Sequence, residues 1–131
     1  MKQIENLKEK SLLVIRQMLV KGIEATDGNI VTEWCILFSE DKPLLNDTEL
    51  FEWVRNYMVN MDVKGCNMKL EKLRRQGEKT LRTKAKNIGY GAKLDESPKN
   101  KLATYSIFTK GKKYSGNYQK LCRRIGTLKK S

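Results

Sequence analysis

The sequence predicts an α+β chain that is mainly α: a helical core, then a two-stranded β-hairpin, then a final short helix. Three observations predict it. Apolar residues recur at helical spacing through most of the first 60 residues, Ala103 to Phe108 reads ATYSIF with β-prone alternation, and residues from Asn117 to Arg124 return to helical spacing before Gly126.

Residues 2–23 place Ile4, Leu7, Leu12, Ile15, Met18 or Leu19, and Ile23 on one helical face. Thr26-Asp27-Gly28-Asn29 breaks that pattern with turn-forming residues. Ile30, Val31, Trp34, Cys35, Leu37 and Phe38 fit a buried second helix, although the unbroken apolar run from Trp34 to Phe38 also suits a strand. Ser39 to Pro43 is a loop, because proline disfavours helix at the residue before it. Asn46 or Asp47 caps a third helix reaching about Val59, with Leu50, Phe51, Val54, Tyr57 and Met58 as its buried stripe. After a short connection at Met61 to Gly65, a fourth helix from Asn67 to Gln76 turns Met68, Leu73 and Leu70 inward and stops at Gly77.

Beyond Gly77 the reading is a first strand at Thr80 to Thr83, a lysine-rich loop from Asn87 to Asn100, and a second strand at ATYSIF. On that strand Tyr105 and Ile107 share one face, Ser106 and Phe108 the other. The last helix starts at Ser115 or Asn117, turns Tyr118, Leu121, Cys122 and Ile125 inward, and ends at Gly126.

The net charge of +12 is unevenly spread. Met1 to Asp62 has seven Lys or Arg against eleven Asp or Glu, a balance of −4; Val63 to Ser131 has twenty against four, a balance of +16. Such a contrast favours a polyanion on one part of the chain, and nucleic acid is the commonest one. A length of 131 residues predicts one domain. Within it, residues 1–45 form an acidic, apolar-rich helical part that offers a docking surface to a larger protein partner, and residues 46–131 form a basic nucleic-acid-binding part. No apolar run has membrane-spanning length and the N-terminus has no signal-peptide pattern. The expectation is an intracellular protein, cytoplasmic or nuclear, and nuclear if the source is a eukaryote.

Catalysis and cofactors find little support in the residue types. The chain has no histidine, hence no ordinary general base near neutral pH, and its three cysteines, Cys35, Cys66 and Cys122, are widely spaced without a CxxC pair. Cys66 beside Lys64 invites a lowered pKa, but no base partner accompanies it. The expectation is a non-enzyme with no metal and no cofactor. Gly89-Tyr90-Gly91 is not flanked by the strand and helix of a nucleotide-binding fingerprint.

The basic stretch from Val63 to Lys86 supplies most candidate phosphate contacts: Lys69, Lys72, Arg74, Arg75, Gln76, Lys79, Arg82, Lys84 and Lys86. Lys93, Lys120, Arg123 and Arg124 extend the set, and Tyr90 and Tyr114 in glycine-flanked segments are the aromatics best placed to stack a base. Tyr105 and Tyr118 read as core. Two helices, the second strongly cationic, followed by a basic hairpin resemble a winged-helix DNA-binding domain over residues 46–110. That resemblance implies a recognition helix with Lys69, Lys72, Arg75 and Gln76, a wing with Arg82, Lys84, Lys86 and Lys93, and ATYSIF as the returning strand. The chain departs from it in having two apolar segments ahead of the unit and a long wing loop; a homeodomain-like unit, the nearest rival, leaves ATYSIF without a purpose. The functional expectation is a small accessory subunit that binds nucleic acid, double-stranded DNA rather than RNA. The alternatives are a structural subunit whose basic face meets an acidic protein, and a binder of RNA or single strands.

Overall fold

The computed structural model describes residues 7–38, 48–98 and 100–130, with the side chains of Thr48 and Glu49 left aside. The proposed caps Asn46 and Asp47, the loop at Ser39 to Pro43, Ile4 and Lys99 lie outside the described residues. Five helices and three strands follow in the order α1 (Leu7–Lys21), α2 (Asp27–Leu37), α3 (Thr48–Met58), α4 (Val63–Lys86), β1 (Gly91–Glu96), β2 (Thr104–Thr109), β3 (Lys112–Gly116) and α5 (Tyr118–Lys129). The chain is thus α+β and mainly helical, with a three-stranded sheet where the sequence predicts two strands. The described residues pack as two units, divided within α4 between Leu70 and Glu71.

The first unit comprises α1, α2, α3 and the opening two turns of α4. Every residue of α1 from Glu9 to Ile15 is buried, almost two full turns, and Met18 continues the buried set. A helix buried on all sides needs neighbours on all sides, and α2 and α3 both pack against it. Ile30 and Trp34 of α2 and Leu50, Phe51 and Val54 of α3 complete the core. The segment from Ile30 to Leu37 is therefore helical, with Phe38 as its C-cap, and the helix begins earlier than its turn-like residues suggest: Thr26 is its N-cap, with its hydroxyl accepting from the Asn29 N–H at 3.1 Å. The charges that enter this core have partners. Lys21 Nζ lies 2.8 and 2.9 Å from the two carboxylate oxygens of buried Glu33, and Lys10 Nζ sits 5.3 Å from the Phe38 ring centroid.

α4 opens four residues before the predicted start because Asp62 caps it, accepting from the Gly65 N–H at 2.7 Å. Cys66 and Leu70 are buried in the first unit, whereas Met68, expected inward, is 62% exposed. The Cys66 thiol donates to the Leu12 carbonyl at 3.2 Å. Burial pushes that thiol up to about 11, against the weaker opposing pull of Arg16 and Lys69, so the lowered pKa that the neighbouring Lys64 invites does not arise.

The second unit has the order α4, β1, β2, β3, α5. Its strands form an antiparallel meander, β1-β2-β3, in which Ala92 faces Ile107, Leu94 faces Tyr105, and Ile107 in turn faces Tyr114. Both helices cover one face of this sheet: Leu81 and Ala85 of α4 and Leu121 and Ile125 of α5 share a core with Ala92, Ala103, Tyr105 and Ile107. The other face carries Ser106 and Phe108, as the alternation of ATYSIF predicts.

Three local expectations change here. α4 does not stop at Gly77; it runs to Lys86 and is closed by Gly89, which takes φ +77° while the Tyr90 N–H reaches back to the Ala85 carbonyl at 2.8 Å, the glycine-dependent way of closing a helix. Gly77 is needed for approach instead, since a Cβ there would stand 2.9 Å from the Tyr105 hydroxyl oxygen. Thr80 to Thr83 is helical, and the strand that pairs with ATYSIF is Gly91–Glu96, inside the segment read as a loop. α5 likewise runs through Gly126 to Lys129, with Asn117 as its N-cap.

Candidate nucleic-acid interface

One buried stripe organises α4. Buried Cys66, Leu70, Arg74, Leu81 and Ala85, with half-buried Gly77 among them, follow one another at intervals of four or three residues, the spacing of a single helix face. Whatever lies opposite that stripe faces water. In the second unit the opposite face carries Lys72, Arg75, Gln76, Lys79, Arg82 and Lys86, all exposed.

The seven-residue spacing within this face sorts its charges. Glu71 and Glu78 stand seven apart; each pairs with the arginine four residues on, Arg75 at 2.6 Å and Arg82 at 3.8 Å. Lys72, Lys79 and Lys86 also stand seven apart, and no carboxylate among the described residues is paired with any of them. At 1.5 Å of rise per residue these three ammonium groups mark out a row of about 21 Å. Glu78 also accepts from the Leu94 N–H of β1 at 2.6 Å, and Arg82 Nε donates to the Ala92 carbonyl at 3.4 Å. The outer edge of β1 is thereby covered by α4 side chains, so those two charges are partly committed to holding the unit together.

The other expected contacts are distributed by the packing. Arg74 is not on the surface: it is 3% exposed and donates to the Ser97 hydroxyl at 3.1 Å and the Pro98 carbonyl at 2.6 Å, clamping the β1–β2 connection. Lys84 turns toward α5, with its ammonium 3.7 Å from Cys122 Sγ and 5.9 Å from the Tyr118 ring centroid. Arg82, Lys84 and Lys86, expected on a wing, all belong to α4. Lys69 belongs to the first unit, its ammonium 5.0 Å from the Tyr57 ring centroid. Lys93 is on β1, 3.9 Å from Asp95.

On α5, Lys120, Arg123 and Arg124 are exposed, opposite the buried Leu121 and Ile125. Arg124 lies over the Tyr114 ring, 4.8 Å from its centroid, and Tyr114 is 6.4 Å from Tyr90. Both tyrosines are half-buried against the core rather than held out on loops, and Tyr114 is a strand residue. Tyr105 and Tyr118 meet edge to face at 6.2 Å, and Tyr105 donates to the Arg74 carbonyl at 3.3 Å. Burial, and next to it the neighbouring Cys122, holds the Tyr118 phenol above its ordinary pKa.

Residues that the sequence reading left out are Lys110, Lys112 and Lys113, at and beside the β2–β3 turn, and the exposed Phe108. The pair of glycines at 89 and 91, read as one loop, concealed where β1 begins. The seven-residue interval of Glu, Lys and Arg was legible without coordinates.

Elsewhere the first unit holds an open cleft lined in part by Asn56, Tyr57, Asn60, Asp62 and Lys69, but the Asp62 carboxylate already caps α4. No group of three or more His, Cys, Asp or Glu side chains among the described residues is placed to hold a metal ion, and no described helix is long and apolar enough to cross a membrane. No family model, curated protein or solved structure matches the chain.

Proposed function

We propose that the chain is a non-catalytic nucleic-acid-binding protein that grips the phosphate backbone of a duplex, double-stranded DNA by preference, through the helix layer of its second unit. The row of Lys72, Lys79 and Lys86 carries this reading: three like charges at one-face spacing without carboxylate partners among the described residues. Like charges held in a row repel one another and are relieved by a polyanion, whose displaced counterions supply the driving force. Lys120, Arg123 and Arg124 of α5 add to it from the same layer. Gln76 and the neighbouring Arg75 are the side chains on this face of α4 suited to reading base edges, while the lysine row meets phosphates and adds affinity independent of sequence. In the winged-helix form of the reading, α4 is the recognition element and the β1–β2 connection the wing. The accessory role rests on the first unit, where Val20 and Ile36 are 55% and 60% exposed and offer apolar surface to a protein partner.

The experiment is a salt titration of binding to a labelled DNA duplex for the parent and for Lys72→Ala/Lys79→Ala/Lys86→Ala. If all three meet phosphates, the slope of log affinity against log salt falls in magnitude by up to about 0.9 for each, roughly 2.7 in all, with an unchanged melting temperature. An unchanged slope rejects the row as the binding surface. The same titration with double-stranded RNA and with single strands sets the preference among them.

A further inference from the structure

We infer that the open face of the sheet in the second unit is a separate stacking site for an unpaired base of single-stranded nucleic acid, with Phe108 as its platform. Phe108 of β2 is 40% exposed, and it lies on the sheet face that the two helices leave uncovered. Its ring is held against β1: a Cβ on Gly91, its cross-strand partner, would stand 2.8 Å from two of its ring carbons. Any residue but glycine at 91 would push the ring away. With one side of the ring lodged on the backbone of Gly91, little conformational freedom remains to be lost when a flat partner lands on the other.

The surroundings choose the partner. On β3 the residue facing Phe108 is Lys113, exposed and with no carboxylate among the described residues paired to it, and Lys110 lies in the turn two residues beyond Phe108. Of the two acids on this face, Asp95 is engaged by the Ser106 hydroxyl, which also lies 2.9 Å from that of Ser115, and Glu96 stands opposite Thr104, at the other end of β2 from Phe108. An aromatic face beside exposed ammonium groups suits a π-faced base joined to a phosphate, the combination by which single strands are bound without regard to sequence. A greasy protein partner would leave Lys113 and Lys110 desolvated without compensation.

This inference rests on the reading of the second unit as a nucleic-acid binder, and the two are tested by different variants and ligands. Binding of a labelled oligothymidine and of a DNA duplex is measured by fluorescence anisotropy for the parent, Phe108→Ala, Phe108→Leu, Phe108→Tyr and the triple lysine variant. Phe108→Ala and Phe108→Leu are expected to lose about 5- to 150-fold in affinity for the oligothymidine, with less than about a twofold change for the duplex, while Phe108→Tyr binds as the parent does. Leucine still covers Gly91 but has no π face, so parental single-strand affinity in Phe108→Leu overturns the stacking site. Equal losses for both ligands together with a lowered melting temperature also overturn it, by showing that Phe108 serves only to cover β1. Failure of the duplex reading appears elsewhere, as an unchanged salt slope in the triple lysine variant.

Discussion

Two glycines inside helices of the second unit should respond to alanine with opposite sign. In an exposed helix interior, Gly→Ala stabilises by roughly 1 kcal/mol, because glycine loses more backbone freedom on folding. A Cβ at Gly126 in α5 would meet nothing within 4 Å among the described residues, so Gly126→Ala should gain about that much. Gly77 in α4 would place its Cβ 2.9 Å from Tyr105 Oη and 3.4 Å from both Tyr105 Cζ and Tyr118 Cδ2. Tyr105 is only 2% exposed and its hydroxyl is bonded to the Arg74 carbonyl, so the ring cannot swing aside cheaply. Overpacking of a filled core costs about 1–3 kcal/mol and the strained hydrogen bond about 0.5–1.5 more, against the gain of roughly 1 from propensity. The net is a loss of about 0.5–3.5 kcal/mol, which for a unit of this size lowers the melting temperature by about 4–8 °C per kcal/mol. Thermal and urea unfolding followed by circular dichroism measures both variants. A second cycle isolates the cause: in a Tyr105→Phe background the obstructing oxygen is gone, and the cost of Gly77→Ala should shrink by about 1 kcal/mol or more. A Gly77→Ala variant as stable as Gly126→Ala, or a cost indifferent to Tyr105→Phe, would refute the argument that α4 passes Gly77 because Tyr105 and Tyr118 need its space.

Arg74→Ala should destabilise the protein by about 1–3 kcal/mol through the lost hydrogen bonds to Ser97 and Pro98, yet leave the salt slope of duplex binding at its parental value; a reduced slope with intact stability would place Arg74 on the binding surface. Leu81→Ala should cost about 2–5 kcal/mol, since Leu81 is fully buried, whereas Met68→Ala at an exposed position should stay within about 0.5, and chemical denaturation of the two variants checks the assignment of faces. The raised Cys66 thiol has a pH signature. The folded state holds this proton more tightly than the unfolded chain, so its contribution to stability is complete below about pH 9 and is lost as pH rises toward about 11. Cys66→Ala should show a shallower decline across that window than the parent, and parallel curves would mean that the thiol is not titrating in the buried site.

Some features of this protein depend on short-range pattern, and those were legible without coordinates. The stripe Leu50, Phe51 and Val54 has the spacing of one helical face, as α3 shows, and Asn117 caps α5 with its own side chain, accepting from the Lys120 N–H at 2.9 Å. The alternation of ATYSIF likewise places Tyr105 and Ile107 together because a strand has a period of two. The concentration of positive charge after Asp62 is a property of composition alone. What only the tertiary structure decided are matters in which a local preference meets a distant neighbour. Gly77 resembles a helix end until Tyr105, 28 positions later, occupies the space beside it; the true closure at Gly89 is recognisable by a positive φ that no residue type announces by itself. Thr80 to Thr83 has β-prone residues, but Leu81 and Ala85 are drawn into a core shared with Ile107 and Leu121, and that burial outweighs a few tenths of a kcal/mol of propensity per residue. Arg74 differs from Arg75 by one position and so by about 100° around the helix, and this rotation alone turns one guanidinium onto Pro98 and leaves the other in water. Phe108 is the same case on a strand: alternation puts it on the face away from the core, and the bare backbone of Gly91, across the sheet in β1, lets its ring lie against that strand.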